Sequence, residues 1–246
     1  MTKTLILIPS RMAATRLPGK PLLKINNLSI ISHVFKRAEE ASIGEVVVAT
    51  ENQEILDDVK KNGGKAILTK DDHKTGTDRI FEAYKKLDIR NIDYILNLQG
   101  DEPNIDKDDI VCLNNFMINN NSEIGTLAAE IKEDKMLDNK NIVKVITKNN
   151  LDKKSFPLAL NFTRENLSRN YQNVYHHIGI YCYKVSSLEK FVSLSQTKNE
   201  TENKLEQLRA LDNNIKINVA MSKSSPIGVD TKEDYLAIKK IMEYKL

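Results

Sequence analysis

The segment PSRMAATRLPGKPL, residues 9–22, sets Arg11, Arg16 and Lys20 in one short loop. Arginine offers phosphate oxygens a planar fork of donors, whereas lysine acts as a compact point charge, and a triphosphate uses both. Pro9, Pro18 and Pro21 restrict the backbone carrying these cations, and Gly19 lets it approach a ligand closely. The loop matches neither GxxxxGK[ST] nor GxGxxG, which removes the two commonest phosphate loops. Taken alone, it reads either as a nucleotide-phosphate site or as a basic surface turn.

Acidic residues fall at two distant points. LNLQGDEP, residues 96–103, ends an apolar run at Leu98 and continues directly into Gln99, Gly100, Asp101 and Glu102. PIGVDTKEDY, residues 226–235, places Asp230 between a short apolar segment and a helical pattern. One reading makes Asp230 a helix cap, with Glu233 completing a capping box. In the other, Asp101 and Asp230 converge on magnesium, a hard cation that takes oxygen ligands and completes its octahedron with water and substrate phosphates. There it would neutralise triphosphate charge and orient the α-phosphorus.

These residues need a frame that brings sheet-edge loops together. Residues 4–8 (TLILI) form a continuous apolar run ended by Pro9, the pattern of a buried parallel strand. Ile30, Ile31, Val34, Phe35 and Ala38 recur at three- and four-residue steps and predict a helix over 29–41. A strand at 45–49, a short helix marked by Ile55 and Val59 and stopped at Gly63 and Gly64, a strand at 65–68, a helix at 78–87 and a strand at 93–98 continue the alternation. Strands separated by helical crossovers predict an α/β fold, a mostly parallel sheet flanked by helices, with ligands at the carboxyl ends of its strands. Further on, a helix at 107–119, strands at 124–131, 142–147, 178–183 and 216–220, and helices at 186–195, 203–212 and 232–243 are expected. The polar stretch 148–175 reads as a small inserted lobe or a subunit contact within one domain spanning 1–246.

Composition bounds the function. The chain has 246 residues, 40% hydrophobic and 29% charged, an ordinary soluble balance. Its 37 basic and 34 acidic side chains leave a net charge of only +3, which argues against a dedicated nucleic-acid binder. Cys112 and Cys182 lie far apart, without metal-ligand spacing, and nothing demands a disulfide. The amino-terminal apolar run reads as a strand rather than a signal peptide, and no run reaches the ~18 apolar residues of a membrane span. A cytoplasmic protein without membrane insertion is expected.

LPGKPL (17–22), HKTGTDR (73–79), LQGDEP (98–103), HIGIY (177–181), LEQLRAL (205–211) and GVDTKED (228–234) occur together in one order. That set closely resembles the 3-deoxy-manno-octulosonate (Kdo) cytidylyltransferases, over nearly the full chain. The resemblance implies a homodimeric, nucleotidyltransferase-like α/β enzyme that uses CTP and magnesium to form CMP-Kdo for lipopolysaccharide. Carried onto matching positions, it gives Arg11 and Lys20 to the CTP phosphates and Asp101 and Asp230 to magnesium. Gln99, Thr75, Gly76 and Arg79 fall to the nucleotide, and Arg164, His177, Tyr181, Glu206 and Gln207 to the acidic keto-sugar.

The implied chemistry is attack of the anomeric hydroxyl on the α-phosphorus, with Arg11, Lys20 and Asp101 supplying alignment and charge stabilisation and no protein nucleophile. Arg164 suits a sugar carboxylate, because its fork matches that planar anion; the alternative is a salt bridge securing the lobe. His177 is read as a substrate contact or a hydrogen-bonded wall residue, not the base; His33 and His73 carry no assignment. Departures fall on the sugar side: NFTR (161–164) stands where YFSR is usual, His176 replaces an arginine, and Asn203 an acidic residue. They leave Kdo, its 8-amino relative, sialic acid or another keto-acid sugar as acceptors. A protein that binds CTP without turnover is the reading from a different class.

Overall fold

The computed structural model describes residues 2–13, 16–133, 135–167 and 171–243. Ala14 and Thr15 of the cationic loop and residues 168–170 of the 148–175 stretch therefore lie outside the described residues. The chain divides into two compact units, residues 1–111 with 226–246, and residues 112–225.

The first unit begins with β1 (Thr4–Ser10), in which Leu5, Ile6, Leu7 and Ile8 are all fully buried. Full burial of such a side chain contributes roughly 1.5–3 kcal/mol, so this strand anchors the core. A 3-10 turn at Lys20–Leu22 leads into a hairpin of β2 (Lys24–Ile25) and β3 (Leu28–Ser29). Asn26 and Asn27 between them both have positive φ, the backbone a tight two-residue hairpin needs. Helix α1 (Ile30–Glu40) follows, capped by Ser29, whose hydroxyl accepts from Ser32 N at 3.2 Å. It buries the five apolar positions whose spacing predicted it. β4 (Gly44–Thr50), α2 (Gln53–Lys61), β5 (Ala66–Leu68), α3 (Gly76–Leu87) and β6 (Tyr94–Asn97) complete the alternation. β6, β1, β4 and β5 lie side by side and all parallel, as expected.

Most boundaries shift by one or more residues from expectation, and two of the shifts have a clear local cause. β1 runs through Pro9 to Ser10, pairing Pro9 with Ala49 and Ser10 with Thr50. Its ladder to β6 stops at Leu7, so Pro9, which has no N–H, interrupts no bond on that side. Helix α3 begins at Gly76, two residues earlier than predicted, because the Thr75 hydroxyl accepts from Asp78 N at 3.1 Å.

The boundary between the units falls within α4 (Lys107–Asn120). The second unit then holds β7 (Ile124–Ala129), α5 (Lys135–Asp138), β8 (Lys144–Thr147), β9 (Ala159–Thr163), β10 (Val174–Lys184), α6 (Val185–Ser193), α7 (Lys198–Asn203), α8 (Leu208–Asp212) and β11 (Ile217–Met221). β7 pairs parallel with β11 and antiparallel with β10; β8 pairs antiparallel with β10 and β9. The polar stretch 148–175 thus contributes β9 to a sheet, which its poor periodicity did not reveal.

The single helix expected over 203–212 is two helices. Lys204 takes a left-handed φ of 53° and ends α7, which opens with a Thr197–Glu200 capping box. Glu200 then receives Arg209 from α8 as a buried two-pronged pair, at 2.8 and 2.5 Å, folding the helices together. After β11 the chain re-enters the first unit and closes with α9 (Lys232–Glu243), where Ile238 packs with Ile25, Ile30 and Val229. Among the described residues neither Cys112 nor Cys182 is in a disulfide.

Candidate active site

At the carboxyl ends of β1 and β6 the first unit holds a cavity of about 380 Å³. Arg11, Lys20, Thr75, Gly76, Arg79, Gln99, Asp101 and Asp230, predicted from distant stretches of sequence, all line it. The convergence has a local cause at each point. Gly100 sits so close to β1 that a Cβ there would lie 2.8 Å from Pro9 O, so only glycine lets the QGD turn pass the strand end. Val229 is fully buried, and its N–H donates to Asp101 O at 2.8 Å. The apolar residue before Asp230 therefore pins that carboxylate beside Asp101.

The helix-cap reading of Asp230 is corrected by the bonds at the start of α9. Thr231 is the residue whose hydroxyl accepts from Asp234 N at 3.2 Å, while Asp234 Oδ2 accepts from Thr231 N at 2.9 Å. The cap lies one residue further on, which leaves the Asp230 side chain to other partners.

Those partners are cations. Lys20 Nζ donates to Asp101 Oδ2 at 2.6 Å, Asp230 Oδ1 at 3.0 Å and Val229 O at 2.9 Å. An ammonium has three protons, so all are engaged. Burial would lower the Lys20 pKa, but attraction and hydrogen bonds from Asp101 and Asp230 outweigh it and hold the value above the ordinary lysine figure. Arg16, 62% exposed, donates to Asp230 Oδ2 at 2.8 Å, and Arg11 is exposed at the cavity lip. Asp101 and Asp230 thus already share one cation. Two carboxylates with oxygen-only chemistry fit magnesium, whose other positions phosphate and water would fill. Among the described residues no cluster of three metal-ligating side chains occurs.

The remaining nucleotide-side residues differ in character. Arg79 is buried, and its guanidinium is committed to Glu51, Thr69 Oγ1 (2.7 Å) and Lys70 O (3.2 Å). Thr75 is a helix cap as well as a wall residue. Sequence reasoning left His73 unassigned and passed over Ser10 and Lys74, yet all three line the cavity. The buried Ser10 hydroxyl has no partner among the described residues. His73 bonds Glu82; burial opposes ionisation of Glu82, but hydrogen bonds from Lys86, His73 and Lys70 N bring its pKa to about 2. Glu102, buried beside Asp101, is pushed up to about 8, first by desolvation and then by its neighbour's charge.

The five residues expected at the sugar, Arg164, His177, Tyr181, Glu206 and Gln207, all fall within the second unit. His177 Nε2 lies 3.0 Å from both Tyr181 Oη and Thr126 Oγ1, and Phe162 meets the imidazole edge-on at 5.1 Å. Desolvation, then the charges of His176 and Arg164, push the His177 pKa down to about 3, so the ring is neutral and unsuited to proton abstraction near pH 7. Burial raises the Tyr181 phenol well above its usual value, with the charge of Glu206 adding to the effect. Glu206 Oε1 sits 3.7 Å from Arg209, and Gln207 immediately precedes α8 without a side-chain capping bond. Arg164 donates to Asn141 O at 3.2 Å. Its own carbonyl accepts from Lys144 Nζ at 3.4 Å, and Lys144 is a fully buried lysine whose role only three-dimensional contacts reveal.

The α/β frame, with its cationic first loop reaching two carboxylates at the sheet edge, is that of the nucleotidyltransferase-like fold. The chain matches the cytidylyltransferase family over residues 5–217. It belongs to the 3-deoxy-manno-octulosonate cytidylyltransferase (CMP-Kdo synthetase) family. The enzyme of that name from Rhodopseudomonas palustris (strain BisB18) is 45% identical over 244 residues, covering 99% of each chain. That of Nitrobacter hamburgensis is 44% identical over 242 residues, 98% of this chain and 93% of its relative. Among solved structures, CMP:2-keto-3-deoxy-manno-octonic acid synthetase complexed with CTP aligns over 100% of both chains at 34% identity, with a TM-score of 0.90. A 4-diphosphocytidyl-2C-methyl-D-erythritol synthase from Anaerococcus prevotii, at 13% identity and a TM-score of 0.65 over 98% of this chain and 99% of its own, shares the fold alone.

Proposed function

We propose that this enzyme transfers CMP from CTP to the anomeric hydroxyl of Kdo, forming CMP-Kdo for lipopolysaccharide synthesis and releasing pyrophosphate. The observation that carries the reading is the convergence of Lys20, Asp101 and Asp230 in one cavity of a chain 45% identical to an enzyme of that name.

In the reaction the sugar oxygen bonds to the α-phosphorus as the bridge to the β-phosphate breaks, and the hydroxyl proton passes to solvent. Arg11 clamps the departing pyrophosphate, and Lys20 opposes the charge gathering on it. Asp101 polarises the attacking hydroxyl. Asp101 and Asp230 would hold magnesium, which when bound supplies further neutralisation of phosphate charge. Two of the three engaged Lys20 protons bond the same carboxylates that would hold the metal, so Lys20 is the group that would turn toward phosphate were those carboxylates occupied. Gln99, Thr75 and Gly76 contact the nucleotide, and Arg79 holds the wall behind them. Arg164 receives the sugar carboxylate, with His177, Tyr181, Glu206 and Gln207 around the ring.

The enzyme works in the cytoplasm, where CTP is made, as a homodimer in which the 148–175 region serves as a lobe or subunit contact. Among the described residues no helix is long and apolar enough to cross a membrane, which is compatible with that setting. Incubation with CTP, magnesium and separate sugars tests the assignment. Pyrophosphate release is expected with Kdo. Release only with 8-amino-Kdo or a sialic acid would move the acceptor, and tight CTP binding without release under any sugar would replace the enzyme by a sensor.

A further inference from the structure

Thr126, His177 and Tyr181 form a closed polar set inside the second unit, and counting its protons identifies the protonated imidazole nitrogen. Thr126, on β7, is fully buried. Its Oγ1 lies 2.7 Å from Ile180 O and 3.2 Å from Ile178 O. Both carbonyls turn toward it where the β7–β10 register shifts between Ile178 and Tyr181. Carbonyl oxygens only accept, so the one Thr126 proton points to them, to Ile180 O at the shorter distance. The same Oγ1 stands 3.0 Å from His177 Nε2, and it can meet that nitrogen only as an acceptor.

A lone pair on Nε2 would face an oxygen lone pair across this gap in a buried, weakly screened site, which is repulsive. A proton on Nε2 removes the conflict. It is shared between Thr126 Oγ1 and Tyr181 Oη, each 3.0 Å away. Tyr181 Oη takes its share of that proton as an acceptor. With the proton so placed, His177 Nε2 and Thr126 Oγ1 no longer oppose two lone pairs. Among the described residues no hydrogen bond reaches Nδ1.

We propose that Thr126 is a positioning residue that holds His177 as the Nε2–H tautomer and leaves Nδ1 as a pure acceptor for a hydroxyl of the sugar. The proposal rests on His177 being a sugar contact. A neutral ring of low basicity in that place orients the hydroxyl rather than deprotonating it.

Two-bond proton–nitrogen correlation spectra of the full chain labelled with 15N-histidine read the tautomer directly, with His177→Gln assigning the resonance. The Nε2–H pattern is expected in the wild type, whatever the folding of any variant. Thr126→Val should raise the KM for the sugar about five- to tenfold, the loss of roughly one hydrogen bond, and leave the KM for CTP unchanged. Thr126→Ser, which keeps the hydroxyl, should stay within about twofold on the same grounds. An Nδ1–H pattern in the wild type overturns the proposal. So does an unchanged sugar KM in Thr126→Val when His177→Gln raises it. If both variants leave that KM unchanged while the Nε2–H pattern holds, the sugar contact fails, and the tautomer's functional role with it.

Discussion

Lys20 is a cation whose partners explain both its position and its charge. Replacing it with methionine keeps comparable length and deletes the ammonium, so Asp101 and Asp230 would face one another without the charge they share. Removing one preorganised charge from developing phosphate negativity costs about 10²–10³ in rate, and single-turnover transfer should fall accordingly. Asp101→Asn is expected to preserve the fold, lower turnover by a similar factor of about 10² and raise the magnesium concentration for half-maximal rate. Unchanged rates across a magnesium titration would remove Asp101 from the metal site. At this scale the sequence was informative about residue type but not about direction. Arg79 was legible as a cation near a polar turn, yet its guanidinium turns to Glu51, a residue that no motif links to it.

Elements hold these side chains through close approaches that leave little tolerance. Gly100→Ala would place a methyl 2.8 Å from Pro9 O and 3.2 Å from Ile31 Cδ1. Backbone cannot yield cheaply there, so a loss of about 1–3 kcal/mol is expected from overpacking. The thermal shift induced by CTP should shrink with it, because the QGD turn and the β1 loop separate; an unaltered shift would show that the approach is incidental. The second unit offers a contrasting case. Thr197→Ala removes the capping box of α7 and should cost about 1 kcal/mol in denaturant unfolding, with the KM for CTP untouched. Hydrophobic patterning located most elements, helices through one-sided burial and central strands through unbroken apolar runs. It failed at β9, where Leu160 is 58% exposed and the strand lacks a clean alternation, and at the α7–α8 break, where Lys204 carries no sequence mark of a left-handed backbone.

Across the whole molecule, buried histidine makes stability depend on pH. The His177 pKa falls from 6.5 to about 3 on folding, with desolvation as the main cause. Between those values the unfolded chain binds a proton that the folded chain refuses, so stability is complete above about pH 6.5 and declines as pH falls toward about 3. The slope approaches about 1.4 kcal/mol per pH unit within that window. His176 and His33, whose pKa values burial also lowers, act in the same sense. Denaturation of wild type and His177→Gln at pH 7 and pH 5 isolates one contribution, and the variant should lose less on acidification. An equal loss in both would show that His177 takes up its proton without opening the fold.

From residue order alone came the alternating α/β frame, the cationic first loop, the two aspartates and the family resemblance. These are local properties: apolar period, residue chemistry and short ordered motifs survive in one dimension. Tertiary structure decided what depends on separations of tens to hundreds of residues. It set Asp230 beside Asp101 through a buried Val229, moved the helix cap to Thr231, and turned both Ile178 and Ile180 carbonyls onto Thr126. Proton placement in such a cluster follows from which acceptors the fold brings within hydrogen-bonding reach, and a linear sequence does not encode that distance in any readable pattern.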